Sequence, residues 1–154
     1  MQIPKFTRQT QSSVTEAYCA ALLDHVNIVK HHQTFIHQGL LVVASEYCGL
    51  GDLQTLIDAA DAMQQPFTEG MVLAVLLDMC SGVAWMHRNS IAHRDIKPEN
   101  VFVGADGVSK LGDLGSSRFM IDPSTSFVGT PLYMAPEVRA CQSLPMQRCK
   151  SCES

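Results

Sequence analysis

The chain has 154 residues, 46% of them hydrophobic and 17% charged, a balance that suits one soluble domain with a sizeable core and excludes a low-complexity chain. A net charge of -4 gives no general attraction to nucleic acid or to an anionic membrane, so any phosphate must be bound by a local arrangement. The leading residues MQIPKFTRQTQSS lack the apolar centre of a signal peptide, and no apolar run reads as approaching the roughly 18 residues of a membrane span, which predicts an intracellular chain.

The first predicted element is a helix over 14–23, capped by Ser13, with an apolar stripe at Ala17, Ala20 and Leu23. Two apolar runs, 34–36 and 40–44, flank the turn signal His37-Gln38-Gly39 and predict a hairpin. Asp52 suits the N-cap of a helix ending near Ala62. Thr68 caps a longer helix in which Val72, Val75, Leu76, Met79, Val83 and Met86 recur at three-and-four spacing, the pattern of a buried core helix. Two strand-like pieces follow, 100–103 and 109–111, joined by Ala105-Asp106-Gly107, and then a loop rich in Ser, Thr, Gly and Pro.

Six cysteines are present. Cys19, Cys48 and Cys80 lie in apolar segments and read as reduced core thiols, while Cys141, Cys149 and Cys152 crowd the tail. Cys149 and Cys152 have zinc-knuckle spacing, but zinc wants four ligands and no second pair follows, so neither a metal site nor a disulfide framework is expected. His31, His32 and His37 have no metal spacing and read as solvent-facing. From Arg139 the periodicity stops, which divides the chain into a domain over 1–138 and a tail over 139–154.

The string His93-Arg94-Asp95-Ile96-Lys97-Pro98-Glu99-Asn100 fills every defined position of the protein-kinase catalytic loop, H-R-D-x-x-x-x-N. Asp113-Leu114-Gly115 stands 18 residues beyond Asp95 in the place of the D-F-G metal loop, and Gly129-Thr130-Pro131 and Ala135-Pro136-Glu137 close the activation segment. Any one of these could arise by chance; their joint order does not. The chain thus resembles eukaryotic serine/threonine protein kinases over about 14–138. Its stretch HRDIKPENVFVGADGVSKLGDLG, with F-V-G-T-P-x-Y-M-A-P-E, is most similar to the NIMA-related (NEK) family.

That resemblance implies an α+β fold, a truncated bilobal kinase: part of the small lobe from the regulatory helix onward, plus the first half of the helical lobe through the activation segment. It implies ATP and Mg2+ as cofactors and a protein substrate, with neither nucleic acid nor membrane as partner. The implied location is cytoplasmic, with the nucleus or cytoskeleton as alternatives. Phosphoryl transfer is mostly positioning and charge neutralisation. On that basis Asp95 is the acceptor of the substrate hydroxyl proton, Lys97 reaches the transferring phosphate, and Asn100 and Asp113 are the magnesium ligands. His93 is a packed structural histidine with no acid/base work. Thr130 is the docking-loop hydroxyl of the serine/threonine pattern. Glu46 and Cys48 belong to the hinge whose backbone would bond adenine, with Ser45 guarding the rear of the pocket. Glu16, nine residues before His25 of the H-P-N-I-V-like string His25-Val26-Asn27-Ile28-Val29, is the partner of the ATP-anchoring lysine. Ser126, then Thr125 and Ser124, are the phosphorylation candidates, facing Arg94.

The sequence departs from the family pattern in five places. The first glycine is Gly39 and the only lysine ahead of Glu16 is Lys5, so the glycine-rich phosphate lid and the anchoring lysine have no counterpart. Beyond Val138 there is no aspartate or tryptophan for the helix that supports the catalytic loop, and Glu137 lacks its arginine partner there. Ala20 stands where the family stacks a large side chain on the D-L-G leucine. The expectation is therefore a kinase by family whose 154-residue chain is inactive alone. The alternatives are a non-catalytic fragment acting as a binding module, or an incomplete gene model.

Overall fold

The computed structural model describes residues 19, 21–38, 40–120, 129–136, 138 and 139. They form a mixed α+β structure in which short antiparallel sheets are set around two helices. Cys19, Ala21 and Leu22 are helical, which places a helix end where one is predicted. The buried positions are Cys19 and Leu23, one turn apart; Ala17 and Ala20 lie outside the described residues.

Strands β1 (His31–His37) and β2 (Leu40–Ser45) make the predicted hairpin, longer at both strands than the apolar runs suggest, with Gln38 at φ 51 in the turn. His31 is not solvent-facing: it is half-buried and its Nε2 lies 2.7 Å from the Thr34 hydroxyl. Strand β3 (Gly51–Asp52) leads into helix α1 (Leu53–Ala62). Its cap is the predicted one, the Asp52 carboxylate accepting the Thr55 N–H at 2.8 Å and the Thr55 hydroxyl at 2.9 Å.

Helix α2 (Glu69–Arg88) starts at Thr68, whose hydroxyl accepts the Met71 N–H at 3.3 Å, and ends with His87 and Arg88 on the negative end of its dipole. It departs from the predicted core helix. Only Gly82 and Met86 are fully buried, and among the described residues nothing covers Met71, Val72, Leu73, Leu76 and Leu77, each at least half exposed. Cys80, on the same helix, is exposed rather than a core thiol, while Cys19 and Cys48 are buried and free as expected. Contrary to the reading of the apolar runs, α2 is long and apolar enough to cross a membrane by length and composition, with a mean hydropathy of 1.5. Its contacts are nevertheless those of a domain helix. Asp78 accepts the Ser109 N–H at 2.9 Å, and its last turns join the core.

That core gathers Cys19, Leu23, Ile28, Met86, Ile91, Val101, Leu111 and Leu114, with Met79, Val83 and Trp85 of α2 against it. Strand β4 (Ile91–Ala92) pairs with β7 (Arg118–Phe119), a two-residue ladder whose second strand falls in the predicted loop. Strands β5 (Val101–Val103) and β6 (Ser109–Leu111) form the second predicted hairpin, with Gly107 at φ 82 in its turn; Asn100 ends the preceding 3-10 turn instead of starting the strand. Asn27 ties this hairpin to the segment before β1. Its carbonyl accepts the Leu111 N–H at 2.9 Å and its side chain donates to the Ser109 carbonyl at 3.1 Å. Gly82 is what lets α2 lie against that joint, since a Cβ there would sit 2.7 Å from the Asn27 carbonyl oxygen.

Candidate active site

Pairing of β4 with β7 and of β5 with β6 brings the ends of 93–100 and 112–117 together, with His93, Asn100 and Ser117 buried between them. The His93 Nδ1 accepts the Asp95 N–H at 3.3 Å, which leaves the proton on Nε2, 3.0 Å from the Gly112 carbonyl. Burial lowers its pKa, against the pull of the Gly112 carbonyl, Asp113 and Asp95, so the ring is a neutral strut between the two loops.

Asn100, 4% exposed, donates through its amide to the Asp95 carbonyl at 2.8 Å and to the Asp95 carboxylate at 3.0 Å. Both of its N–H groups thus face Asp95, which leaves Oδ1 as the atom able to meet a cation. The Asn100 carbonyl in turn accepts the Gly112 N–H at 2.9 Å, so Asp113 is set by the same backbone. Asp113 is exposed and left-handed at φ 50, with Leu114 anchored behind it in the core.

The Asp95 carboxylate is the centre of the constellation. It accepts the Thr130 hydroxyl at 2.7 Å and pairs with the Lys97 ammonium at 3.1 Å, while Lys97 also donates to the Thr130 oxygen at 3.0 Å. Burial raises the Asp95 pKa, but the hydrogen bonds from Thr130, Lys97 and Asn100 outweigh it and hold the carboxyl below its ordinary range. Asp95 likewise holds the Lys97 ammonium above its usual pKa. Thr130 reaches this far because Gly129, at φ 135, carries no Cβ; one would lie 2.7 Å from the Arg94 carbonyl oxygen. Arg94 is itself left-handed at φ 70, and its Nε donates to the Ser116 carbonyl at 2.7 Å, closing the two loops on each other.

A second constellation lies at the end of β2. The Glu46 N–H donates to the Lys30 carbonyl at 2.8 Å, its carboxylate accepts the Lys30 N–H at 3.1 Å and meets Lys110 of β6 at 2.7 Å, and the Cys48 carbonyl accepts the Gly51 N–H at 3.2 Å. None of the hydrogen bonds among the described residues uses the Glu46 carbonyl or the Cys48 N–H.

The sequence pattern of the protein kinase domain matches residues 2–147. The chain belongs to the protein kinase family. It is similar to serine/threonine-protein kinase Nek3 of Mus musculus, 39% identical over 132 residues that make up 84% of this chain and 25% of that protein. It is also similar to Nek5 of Mus musculus, at 34% over 90% of the chain and 22% of the relative, and to Nek11 of Homo sapiens, at 36% over 84% and 20%. The chain thus spans about a quarter of the length of these curated relatives, or less.

As a protein kinase, the chain brings together Asp95, Lys97, Asn100 and Thr130 in direct contact, with Asp113 joined to them through Gly112. Asn100 and Asp113 offer one neutral and one anionic hard oxygen. That set suits magnesium, which keeps several waters and shares its sphere with substrate phosphates. No group of three or more His, Cys, Asp or Glu able to hold a metal occurs among the described residues. Glu46 and Cys48 lie in one short segment apart from the catalytic loop, with Ser45, exposed, at the end of β2. Glu16, Ser124, Thr125 and Ser126 lie outside the described residues. Ala20 does too, and the described residue of that helix in one cluster with Leu114 is Cys19.

Sequence reading missed Asp78, Asn27 and Lys110. Asp78 and Lys110 are charged residues in apolar stretches, which is a signal that a buried partner is required. Asn27 sits inside the H-P-N-I-V-like string and could have been flagged there.

Proposed function

We propose that the chain is the catalytic portion, residues 1–138 followed by a separate tail, of a NIMA-related-like serine/threonine kinase of bilobal fold that transfers the ATP γ-phosphate to protein Ser or Thr hydroxyls. The observation that carries this reading is the Asp95 carboxylate. It already accepts a hydroxyl proton donor, Thr130, with Lys97 beside both oxygens. A substrate hydroxyl meeting Asp95 in the same way loses its proton there as its oxygen attacks the γ-phosphorus and ADP departs, while Lys97 steadies the charge on the phosphoryl oxygens. Asn100 Oδ1 and Asp113 would hold magnesium, which would supply charge neutralisation at the phosphates. The Glu46 carbonyl and Cys48 N–H present the hinge edge to adenine, and Glu16 stands where the family pairs a glutamate with the ATP-anchoring lysine, a lysine these 154 residues do not include.

Transfer of labelled phosphate from Mg-ATP to a serine peptide tests the assignment on an active preparation of the kinase. Asp95→Asn keeps one acceptor for Thr130 but places an amide where the proton must go. The turnover is expected to fall by about 10²–10⁴-fold, with nucleotide affinity little changed and the fold intact by circular dichroism. Turnover within a few-fold of wild type in the folded variant would remove Asp95 from the role. Phosphorylation of Ser126, with Thr125 and Ser124 behind it, is proposed as the activating switch, through charge-assisted bonds to Arg94. Full activity in a variant with all three changed to alanine would discard that switch.

A further inference from the structure

Of the ion pairs in the described chain, one is sheltered yet stands apart from the proton-accepting carboxylate. Lys110 and Glu46 meet at 2.7 Å with their side chains 12% and 30% exposed, whereas Lys30 and Asp24 pair in the open. A sheltered pair is weak evidence for stability, because the desolvation of both charges offsets most of their attraction; what it does supply is geometry.

The geometry here is specific. One Glu46 oxygen takes the Lys110 ammonium and the other accepts the Lys30 N–H at 3.1 Å, while the Glu46 N–H donates to the Lys30 carbonyl at 2.8 Å. Glu46 is thus tied to the start of β1 by two bonds and to β6 by an ion pair. On its far side the hinge is tied again, Leu50 N–H to the Val103 carbonyl at 3.1 Å and Gly51 paired with Val103. Both flanking anchors lie on the β5–β6 hairpin, whose β6 strand ends at Leu111, two residues before Asp113. Burial raises the Glu46 pKa, but the Lys110 and Lys30 bonds prevail and keep it ionised.

We propose that Lys110 is a positioning residue for the hinge: through the Glu46 carboxylate it fixes the backbone of 46–48 to the strand that leads into the Asp113 loop, and so sets the distance between the adenine-facing edge and that loop. The link to nucleotide rests on the proposed function; the tether itself does not, and the two are read separately. Lys110→Met and Glu46→Gln each remove one end of the pair, and Lys110→Arg restores a cation.

Hydrogen exchange on the nucleotide-free 154-residue chain reads the tether. The Lys30 and Glu46 amides are expected to exchange about tenfold faster in Lys110→Met and in Glu46→Gln, no faster in the double variant, and at wild-type rates in Lys110→Arg. The Leu111 and Gly112 amides serve as the control against general unfolding. Titration with Mg-ADP reads the consequence, a dissociation constant raised about fivefold in Lys110→Met and in Glu46→Gln and recovered in Lys110→Arg. Unchanged exchange at Lys30 and Glu46 in Lys110→Met would overturn the proposal, as would faster exchange with Mg-ADP affinity unaltered. A wild-type chain that took up no Mg-ADP while showing the expected exchange pattern would count against the nucleotide site and uphold the tether.

Discussion

The catalytic loop and the first half of α2 reverse the usual distribution of side chains. Between Ile91 and Leu114 polar groups are buried: His93, Asn100 and Ser109 are almost wholly enclosed, and each bonds a backbone group or carboxylate far away in sequence or in a neighbouring loop, Asn100 through its carbonyl to the Gly112 N–H. Between Met71 and Leu77 the apolar groups are the exposed ones, Leu76 at 55% and Leu77 at 61%. The difference teaches that shape at the site is held by directional polar bonds, which need particular partners, while the apolar stripe of a helix states only that something should cover it.

That contrast can be broken by mutation. Met86→Ala, in the buried half of α2, deletes a side chain with no exposure and is expected to cost about 2–5 kcal/mol in urea denaturation. Gly82→Ala adds a Cβ 2.7 Å from the Asn27 carbonyl oxygen, and because that atom is backbone, the joint to β6 must shift. Overpacking of this kind predicts a loss of about 1–3 kcal/mol by the same measurement. A smaller effect belongs to His93. Its folded pKa lies below the unfolded value of about 6.5, so protonation favours the unfolded chain. Stability should be constant above neutral pH and decline as the pH falls below about 6.5, with a slope of at most one proton. In His93→Gln that part of the slope should vanish. The smallest effect is Leu76→Ala, expected within about 0.5 kcal/mol of wild type; a cost like that of Met86→Ala would mean that the exposed half of α2 is covered after all.

Much of the site was legible because the chemistry restricts residue type. The proposed roles, proton acceptance, a lysine near it and two hard-oxygen ligands, call for Asp95, Lys97, Asn100 and Asp113 at fixed intervals, and the structure gathers the first three by direct contact. The helix caps Asp52 and Thr68 were legible for a similar reason, since few side chains satisfy a helix N-terminus. What could not be read depends on distant partners. The two-residue strands β4 and β7 are too short to carry a period, and the bonds of Asp78 and Asn27 to Ser109 span 31 and 82 residues. Exposure of the first half of α2 was not readable either, because a helical period marks an apolar face without naming its cover. Gly129 was seen as part of a motif, but its reason, the close approach to Arg94, lies in the backbone.

The central claim is that the catalytic loop and the Asp113 loop form one divalent-cation site. Manganese, a hard paramagnetic stand-in for magnesium, can report on it directly through nuclear relaxation in the presence of ADP. Fast relaxation is predicted at the amides of 100–101 and 113–115, to be lost in Asp113→Asn and weakened in Asn100→Ala. Relaxation spread elsewhere, or undiminished in Asp113→Asn, would contradict the account.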